Sequence, residues 1–133
     1  MRVRLGCILL LGLLAGGGCA KKKSTDELLG DLKSAQEGDR IKAARLLPQH
    51  KGDAAKVVPA LIEALKDKQG DIRWSAAIGL GYFGDEAKEA IPALQEAARR
   101  DRDARVREAA RVAVSRIDPN QALKTPSFQA SGK

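Results

Sequence analysis

The sequence has 133 residues, enough for one small domain, and 44% of them are apolar while only 3% are aromatic. This composition suits packed helices better than a sheet. The formal net charge is +7, but residues 24–117 contain 17 basic and 16 acidic side chains, so most of the excess lies near the N-terminus. We therefore expect no nucleic-acid partner. Both cysteines, Cys7 and Cys19, lie in the N-terminal segment, which excludes a disulfide framework for the rest of the chain.

The N-terminal residues are laid out as a secretory signal peptide. Arg2 and Arg4 form a short positive region, residues 5–14 form an apolar run, and residues 15–18 are small. The apolar run is too short to cross a bilayer as a mature helix. We therefore expect residues 1–18 to be removed and the protein to be exported.

Three glycines at positions 16–18 stand directly before Cys19, and the junction resembles the lipoprotein box of bacterial lipoproteins. The resemblance implies that Cys19 becomes the lipid-modified first residue, and Ala20 in the next position favours the outer membrane. Acyl chains contribute about 0.8 kcal/mol per buried CH₂, so several chains make a stable anchor. Residues 19–24 would then hold the lipidated cysteine and a polybasic spacer, whose lysines lie at the headgroups or are simply solvated. The alternative is ordinary cleavage after Ala20, which discards Cys19.

The rest of the chain repeats with a period of 33–34 residues. A Pro-Ala-Leu motif at 59–61 returns at 92–94, and the Ile-Arg pair at 72–73 returns as Val-Arg at 106–107. A period of this length predicts stacked helical repeats. The apolar spacing and the turn residues predict three antiparallel hairpins of helices, at about 25–36, 39–49, 55–67, 71–83, 87–100 and 104–117.

The ends of these helices and of the domain are predicted from single residues. Thr25 is expected to cap the first helix, and Pro59 and Pro92 to lie near helix starts, where a missing N–H is tolerated. The repeat domain is predicted to span residues 25–117. Residues 118–133 contain two prolines and no periodic apolar face, so they are expected to form a flexible tail.

The stretch 71–84 is the most regular copy of the repeat. Four apolar residues recur in it at helical spacing and predict the core stripe of an inner helix: Ile72, Ala76, Leu80 and Phe83. With the Ala-Ile-Pro-Ala-Leu motif at 90–94, this Asp-Ile-Arg-x-x-Ala-Ala-x-Gly-Leu-Gly-x-Phe-Gly pattern resembles the bacterial HEAT-like repeats also found in phycobilisome lyases. The resemblance implies an all-α fold, a short right-handed α-solenoid of about three hairpins whose inner helices line a binding surface.

Candidates for catalysis or ligand binding are few. The glycines within 79–84 formally match the G-x-G-x-x-G dinucleotide fingerprint, but they end a helix instead of following a strand, so close helix packing and a helix stop explain them better. His50 is interpreted as a solvated loop residue. Asp67 and Asp71 are interpreted as helix caps or as partners of an arginine such as Arg73. We therefore predict no enzyme activity, no cofactor and no metal site.

A second row of residues on the central inner helix is predicted to point away from the core. This row lies about 200° around the helix from the core stripe. The matching positions of the neighbouring repeats hold Ile41, Arg45, Gln49, Glu108, Val112 and Arg116. Tryptophan, tyrosine and arginine dominate binding hot spots, so the predicted partner-binding residues are Trp74, Ile78, Tyr82, Arg45 and Arg116. The alternative is that Trp74 covers the edge of an adjacent repeat or shields the N-terminal end of the stack.

Taken together, these features favour a membrane-anchored scaffold or adaptor in the cell envelope that binds an unknown protein or peptide. The lipid on Cys19 would hold it on the extracytoplasmic side of a membrane, and the row of exposed residues would hold the partner. Two alternatives stay open. One is an enzyme accessory or lyase-like protein, as some HEAT-like families are, and the other is a purely structural spacer of the envelope.

Overall fold

The computed structural model describes residues 21–122, and every regular element in this range is helical. The predicted signal peptide, Cys19 and residues 123–133 of the predicted tail lie outside the described residues. The α-helices are α1 (Thr25–Asp31), α2 (Glu37–Leu46), α3 (Ala54–Ala64), α4 (Gly70–Phe83), α5 (Ile91–Arg100), α6 (Ala104–Ile117) and α7 (Pro119–Ala122). Shorter 3₁₀ segments occupy Leu47–Gln49, Lys51–Asp53 and Gly84–Ala90.

The first six helices form three hairpins that stack side by side. The hairpins are α1 with α2, α3 with α4, and α5 with α6. The inner layer consists of α2, α4 and α6, and α4 lies at its centre because it packs against α2, α3 and α6. This arrangement confirms the predicted all-α solenoid of three hairpins. Among the described helices, none is long and apolar enough to cross a membrane.

The core runs through the middle of the stack, and α4 supplies its centre. Ile72, Ala76 and Leu80 are fully buried and Phe83 is 5% exposed, so the predicted core stripe is confirmed. Small residues line the sides of α4 as well, which lets the helices on both sides approach its backbone. The same helix therefore contacts three neighbours without leaving room for a large side chain between them.

The first helix begins with a capping box one residue earlier than predicted. Ser24 is the cap, and its hydroxyl accepts a hydrogen bond from the Glu27 N–H at 3.3 Å. The Glu27 carboxylate accepts a hydrogen bond from the Ser24 N–H at 2.7 Å in return, which lowers the pKa of Glu27. Thr25 is instead buried within the first turn of α1. The prediction of Thr25 as the cap was wrong because Ser24 has the matching Glu three residues on.

The two prolines behave differently from each other. Pro92 lies in the first turn of α5, as predicted. Pro59 lies in the middle of α3, and there the prediction of a helix start was wrong. Both Pro59 and Ala55, four residues earlier, are exposed. Proline has no backbone N–H, so the carbonyl of Ala55 has no helical hydrogen-bond donor at Pro59. Because this carbonyl is on the solvated side of the helix, water can take the place of that donor.

Helix ends differ from the prediction where the chain tightens into 3₁₀ turns. The first helix ends at Asp31 instead of 36 and α3 ends at Ala64 instead of 67. At the end of α3 the N–H groups of Lys66 and Asp67 donate to carbonyls three residues back. The inner helices α4 and α6 match the prediction to within one residue. Beyond α6, the short helix α7 packs against α6 at the start of the predicted tail.

Glycines allow α4 to pack closely and then to stop. A Cβ atom added to Gly79 would lie 2.6 Å from Cγ of Pro48, and one added to Gly81 would lie 3.1 Å from Cα of Ala113. Gly84, which follows α4, has a φ of 55°, a backbone conformation that side chains disfavour. These contacts confirm that the glycines serve close packing and a helix stop.

Buried arginines connect successive hairpins through their turns. Arg73, at the start of α4, donates to the carbonyls of Asp67 and Lys68 at 2.8 and 3.1 Å. It also donates from Nε and Nη2 to the Asp101 carboxylate at 2.7 and 2.8 Å. Arg40 repeats the pattern one hairpin earlier, where its Nε donates to Asp67 at 2.9 Å. The inner helices α2 and α4 thus each tie their own turn to the carboxylate in the turn of the next hairpin.

The ion pair between Arg73 and Asp101 is enclosed by protein. Both side chains are 7% exposed. Burial by itself raises the pKa of Asp101, but hydrogen bonds from Arg73 and from the Asp103 N–H, with the arginine charge, hold that pKa below its usual value. The carboxylate therefore stays ionised at neutral pH and fixes the turn before α6.

Candidate functional site

The predicted row of binding residues lies on the free side of α4. Tyr82 is 55% exposed, whereas Trp74 and Ile78 are half-buried and also pack against the core. All three side chains line the same two grooves. We call these three residues the α4 ridge, and it separates one groove from the other.

The two grooves lie between neighbouring inner helices. The first, between α4 and α6, has a volume of about 630 Å³, and the second, between α2 and α4, has a volume of about 690 Å³. Small residues form the floors, with Gly81, Ala109 and Ala113 in the first groove and Ala44 and Gly79 in the second. The floors are low because these positions carry little or no side chain, so the ridge stands above them as a wall.

Cationic side chains lie along both grooves. Arg116 lines the first groove, and its guanidinium carbon lies 5.6 Å from the centroid of the Tyr82 ring, at cation–π distance. Arg45 and Lys51 line the second groove. All three side chains are exposed. The structure therefore brings the five predicted partner-binding residues together around one concave surface.

Two cationic residues that line the grooves were missed by the sequence analysis. Lys51 follows the predicted helix, in a loop whose direction the helical period does not predict. Arg105 lines the first groove at the start of α6, where it donates to Asp71 at 2.9 Å and to Asp103 at 2.8 Å. These two carboxylates raise the pKa of Arg105 above its ordinary value. Its charge is thus already engaged by acidic residues of this chain.

His50 is bound within the fold and is not the solvated residue that the sequence analysis predicted. Its Nδ1 lies 3.0 Å from the hydroxyl of Thr25, and that hydroxyl also donates to the Asp53 carboxylate. Thr25 is only 6% exposed. The prediction failed because these residues lie 25 or more positions apart in sequence. We interpret the set as a polar contact that holds α1 against the turn before α3.

The carboxylates of Asp67 and Asp71 each pair with an arginine, as predicted, although neither pairs with Arg73. Asp67 accepts from Arg40 at 2.9 Å, and Asp71 accepts from Arg105 at 2.9 Å. Arg73 instead pairs with Asp101 of the next hairpin. No group of three or more potential metal ligands occurs among residues 21–122.

Comparison with known proteins identifies the family. Residues 25–115 match HEAT repeats, and the chain therefore belongs to the HEAT-repeat family. No curated protein matches the chain.

The fold is also similar to a solved structure described as "The structure of the complex of CpcE and CpcF of phycocyanin lyase from Nostoc sp. PCC7120". The TM-score is 0.70 at 26% sequence identity, and the match covers 78% of this chain and 41% of that chain. The chain thus spans about two fifths of the length of the protein it matches. The resemblance of its repeats to those of phycobilisome lyases is confirmed.

Proposed function

We propose that this protein is a protein-interaction scaffold whose concave inner-helix surface binds a segment of a partner protein. The observation that carries the proposal is the α4 ridge, with an exposed tyrosine and a half-buried tryptophan between two open grooves. Large aromatic side chains beside small-residue floors provide contact area at low cost in side-chain entropy, which is the chemistry of binding hot spots. HEAT repeats are typical of proteins that bind other proteins, and the similar solved structure is itself a complex of two proteins.

The binding surface is tested by truncating the ridge at its most exposed residue. Tyr82→Ala should leave the fold intact, since that side chain is 55% exposed, and should remove the cation–π contact with Arg116. The protein, immobilised and exposed to a solubilised cell-envelope extract, is expected to retain a defined protein that the Tyr82→Ala variant retains at least about tenfold less, as hot-spot truncation predicts. Captured proteins are quantified by mass spectrometry.

The matched control is Leu46→Ala, which truncates an exposed apolar side chain, 39% exposed, that does not line either groove. This variant should capture the same protein as the unmodified chain. Equal capture by Tyr82→Ala and the unmodified protein, with both folded by circular dichroism, would contradict the proposal. Capture of no defined protein by any version would support the structural spacer instead.

The site of action that we propose is the surface of a membrane, through a lipid on Cys19. Support comes from the sequence alone: a signal-peptide layout, three glycines before the cysteine, and Lys21, Lys22 and Lys23 after it. The intact mass of the mature protein from a membrane fraction should correspond to a chain that begins at Cys19 and carries two or three acyl chains. A Cys19→Ser version should lack that added mass. A chain beginning at Lys21 would instead indicate ordinary cleavage and a protein that finds its partner by diffusion.

A second candidate is a lyase-like protein or an accessory of such an enzyme. The observation that favours it is the similarity to the phycocyanin lyase complex. Because this chain spans only 41% of the matched protein, an activity of the whole relative does not transfer to it directly. Visible absorbance from a pigment bound to the purified protein would favour this candidate over the scaffold.

A further inference from the structure

The charged side chains that line the two grooves are mainly positive. Some exposed cations elsewhere on the described surface pair with a carboxylate, as Lys56 does with Asp26 and Lys66 does with Glu63. Arg45 and Lys51 at the second groove and Arg116 at the first have no carboxylate within salt-bridge distance among residues 21–122. The concave surface therefore offers unneutralised positive charge at both sides of an apolar ridge.

The one acidic residue that lines the grooves is engaged by a neighbour. Glu108 in the first groove accepts from Arg111 Nε at 3.1 Å. The remaining lining is mainly apolar, and each groove has the α4 ridge as one wall. A ligand that fits this surface thus combines apolar side chains for the grooves with negative charge for Arg45, Lys51 and Arg116.

Helix packing sets the distance between the two apolar subsites. Packed helices lie about 8–10 Å apart, and the grooves occupy successive spaces between α2, α4 and α6. Two side chains that enter the two grooves are therefore about 10 Å apart. An extended polyproline-type segment rises about 3.1 Å per residue and has three residues per turn. Two of its residues that are three positions apart therefore point to the same side and are separated by about the distance between the grooves.

We propose that the concave surface binds an acidic, extended segment of a partner protein through two apolar side chains three residues apart, one in each groove. The proposal rests on the proposed scaffold function and names the chemistry of its partner. The segment crosses the α4 ridge between its two apolar side chains, and its carboxylates meet Arg45 and Lys51 on one side and Arg116 on the other. The chain's own C-terminal residues 123–133 do not fit, because they contain two lysines and no acidic residue.

Trp74 allows a direct test, since it is the single tryptophan of the chain and lies between the grooves. The probe is a synthetic peptide with two leucines separated by two residues and with glutamates elsewhere. Its matched control has lysines in place of the glutamates. Titration is expected to change the Trp74 emission saturably, with the acidic peptide binding at least about tenfold more tightly, because opposite charges attract and like charges repel.

Charge reversal identifies the cations responsible. Arg45→Glu and Arg116→Glu should each weaken the acidic peptide by about tenfold, and added salt should weaken it as well. Arg99→Glu is the matched control, since Arg99 is an exposed arginine of α5 that lines neither groove and has no carboxylate partner among the described residues. This variant carries the same change in charge and should bind the peptide as tightly as the unmodified protein.

The outcomes separate this inference from the scaffold function. If acidic and basic peptides bind equally and Tyr82→Ala weakens the binding of both, the ridge is a binding surface but the proposal that its partner segment is acidic is wrong. If Arg99→Glu weakens binding as much as Arg116→Glu, the effect comes from net charge, and the assignment to the grooves is overturned. If neither peptide binds and the protein self-associates in sedimentation through a Tyr82-dependent contact, the occupant is a second copy of this chain.

Discussion

The inner helices α4 and α6 hold equivalent places in successive hairpins, yet equivalent positions carry residues of opposite character. Ala77, fully buried on α4, corresponds to the partly exposed Arg111 on α6. Gly81, which touches the next helix, corresponds to the exposed Ser115. A helix with neighbours on both sides needs small residues there, whereas α6 has only α7 beyond it in the described chain. The third hairpin is thus a polar end of the stack, as terminal repeats commonly are.

The same comparison holds for the arginines that connect the hairpins. Arg73 and Arg107 both donate to carbonyls of the turn before their own helix, and Arg107 does so to Asp101 at 2.8 Å. Only Arg73 also meets the carboxylate of a following hairpin. Arg107 has no carboxylate within salt-bridge distance among residues 21–122. Arg73 of the central hairpin therefore connects two hairpins, whereas Arg107 of the last hairpin makes contacts only within its own.

The largest expected effect on the stability of the fold comes from breaking the buried ion pair between Arg73 and Asp101. Arg73→Ala leaves Asp101 buried without its charge partner, and we expect it to lower the free energy of unfolding by about 3–5 kcal/mol. Arg107→Ala removes the equivalent side chain from the end of the stack and should cost about 0.5–1.5 kcal/mol, as for a typical hydrogen bond. Urea unfolding of the two variants measures the difference.

Lowering the pH tests whether the Arg73–Asp101 pair accounts for this difference in stability. Because the pKa of Asp101 is depressed in the folded protein, the stabilisation from its ionised form is present above its ordinary pKa of 3.8 and is lost as the pH falls below that value. The gap in stability between the unmodified protein and Arg73→Ala should therefore narrow in acid. A gap that stays constant down to pH values of about 2, or an Arg107→Ala variant as unstable as Arg73→Ala, would contradict the role of the Arg73–Asp101 pair.

The repeat and the inner helices could be predicted from the sequence because the signal is local. The core stripe from Ile72 to Phe83 recurs at helical spacing, and burial selects apolar residues at those positions. The row of Trp74, Ile78 and Tyr82 followed from the same helical geometry, so its position beside the grooves could be predicted too. The outer helices and the inner helix α2 were predicted less accurately, since their ends depend on 3₁₀ turns, such as the turn after α2 that contains Pro48.

For contacts between hairpins, the sequence did not predict which residues pair with each other. The sequence indicated that Arg73 pairs with an aspartate of its own neighbourhood, but the carboxylate comes from Asp101, 28 residues away. A usable signal was present in the spacing, since Arg40 and Arg73 recur at the repeat period, as do Asp67 and Asp101. Recognising it requires knowing which turns stack, and that follows only from the packing of whole hairpins.

A smaller effect on stability is expected from adding a side chain at Gly81, where α4 packs closely against α6. Gly81→Ala places a Cβ 3.1 Å from Cα of Ala113, a backbone atom that moves only with α6, so we expect the free energy of unfolding to fall by about 1–3 kcal/mol. The reciprocal change at the end of the stack, Ser115→Ala, should alter it by about 0.5 kcal/mol or less. Gly38→Ala in α2 is the glycine control: nothing lies within 4 Å of the added atom, so the higher helix propensity of alanine should stabilise the protein by up to about 1 kcal/mol. Thermal unfolding of the three variants orders them, and a Gly81→Ala protein as stable as Gly38→Ala would show that the approach of α4 to α6 does not depend on the missing side chain.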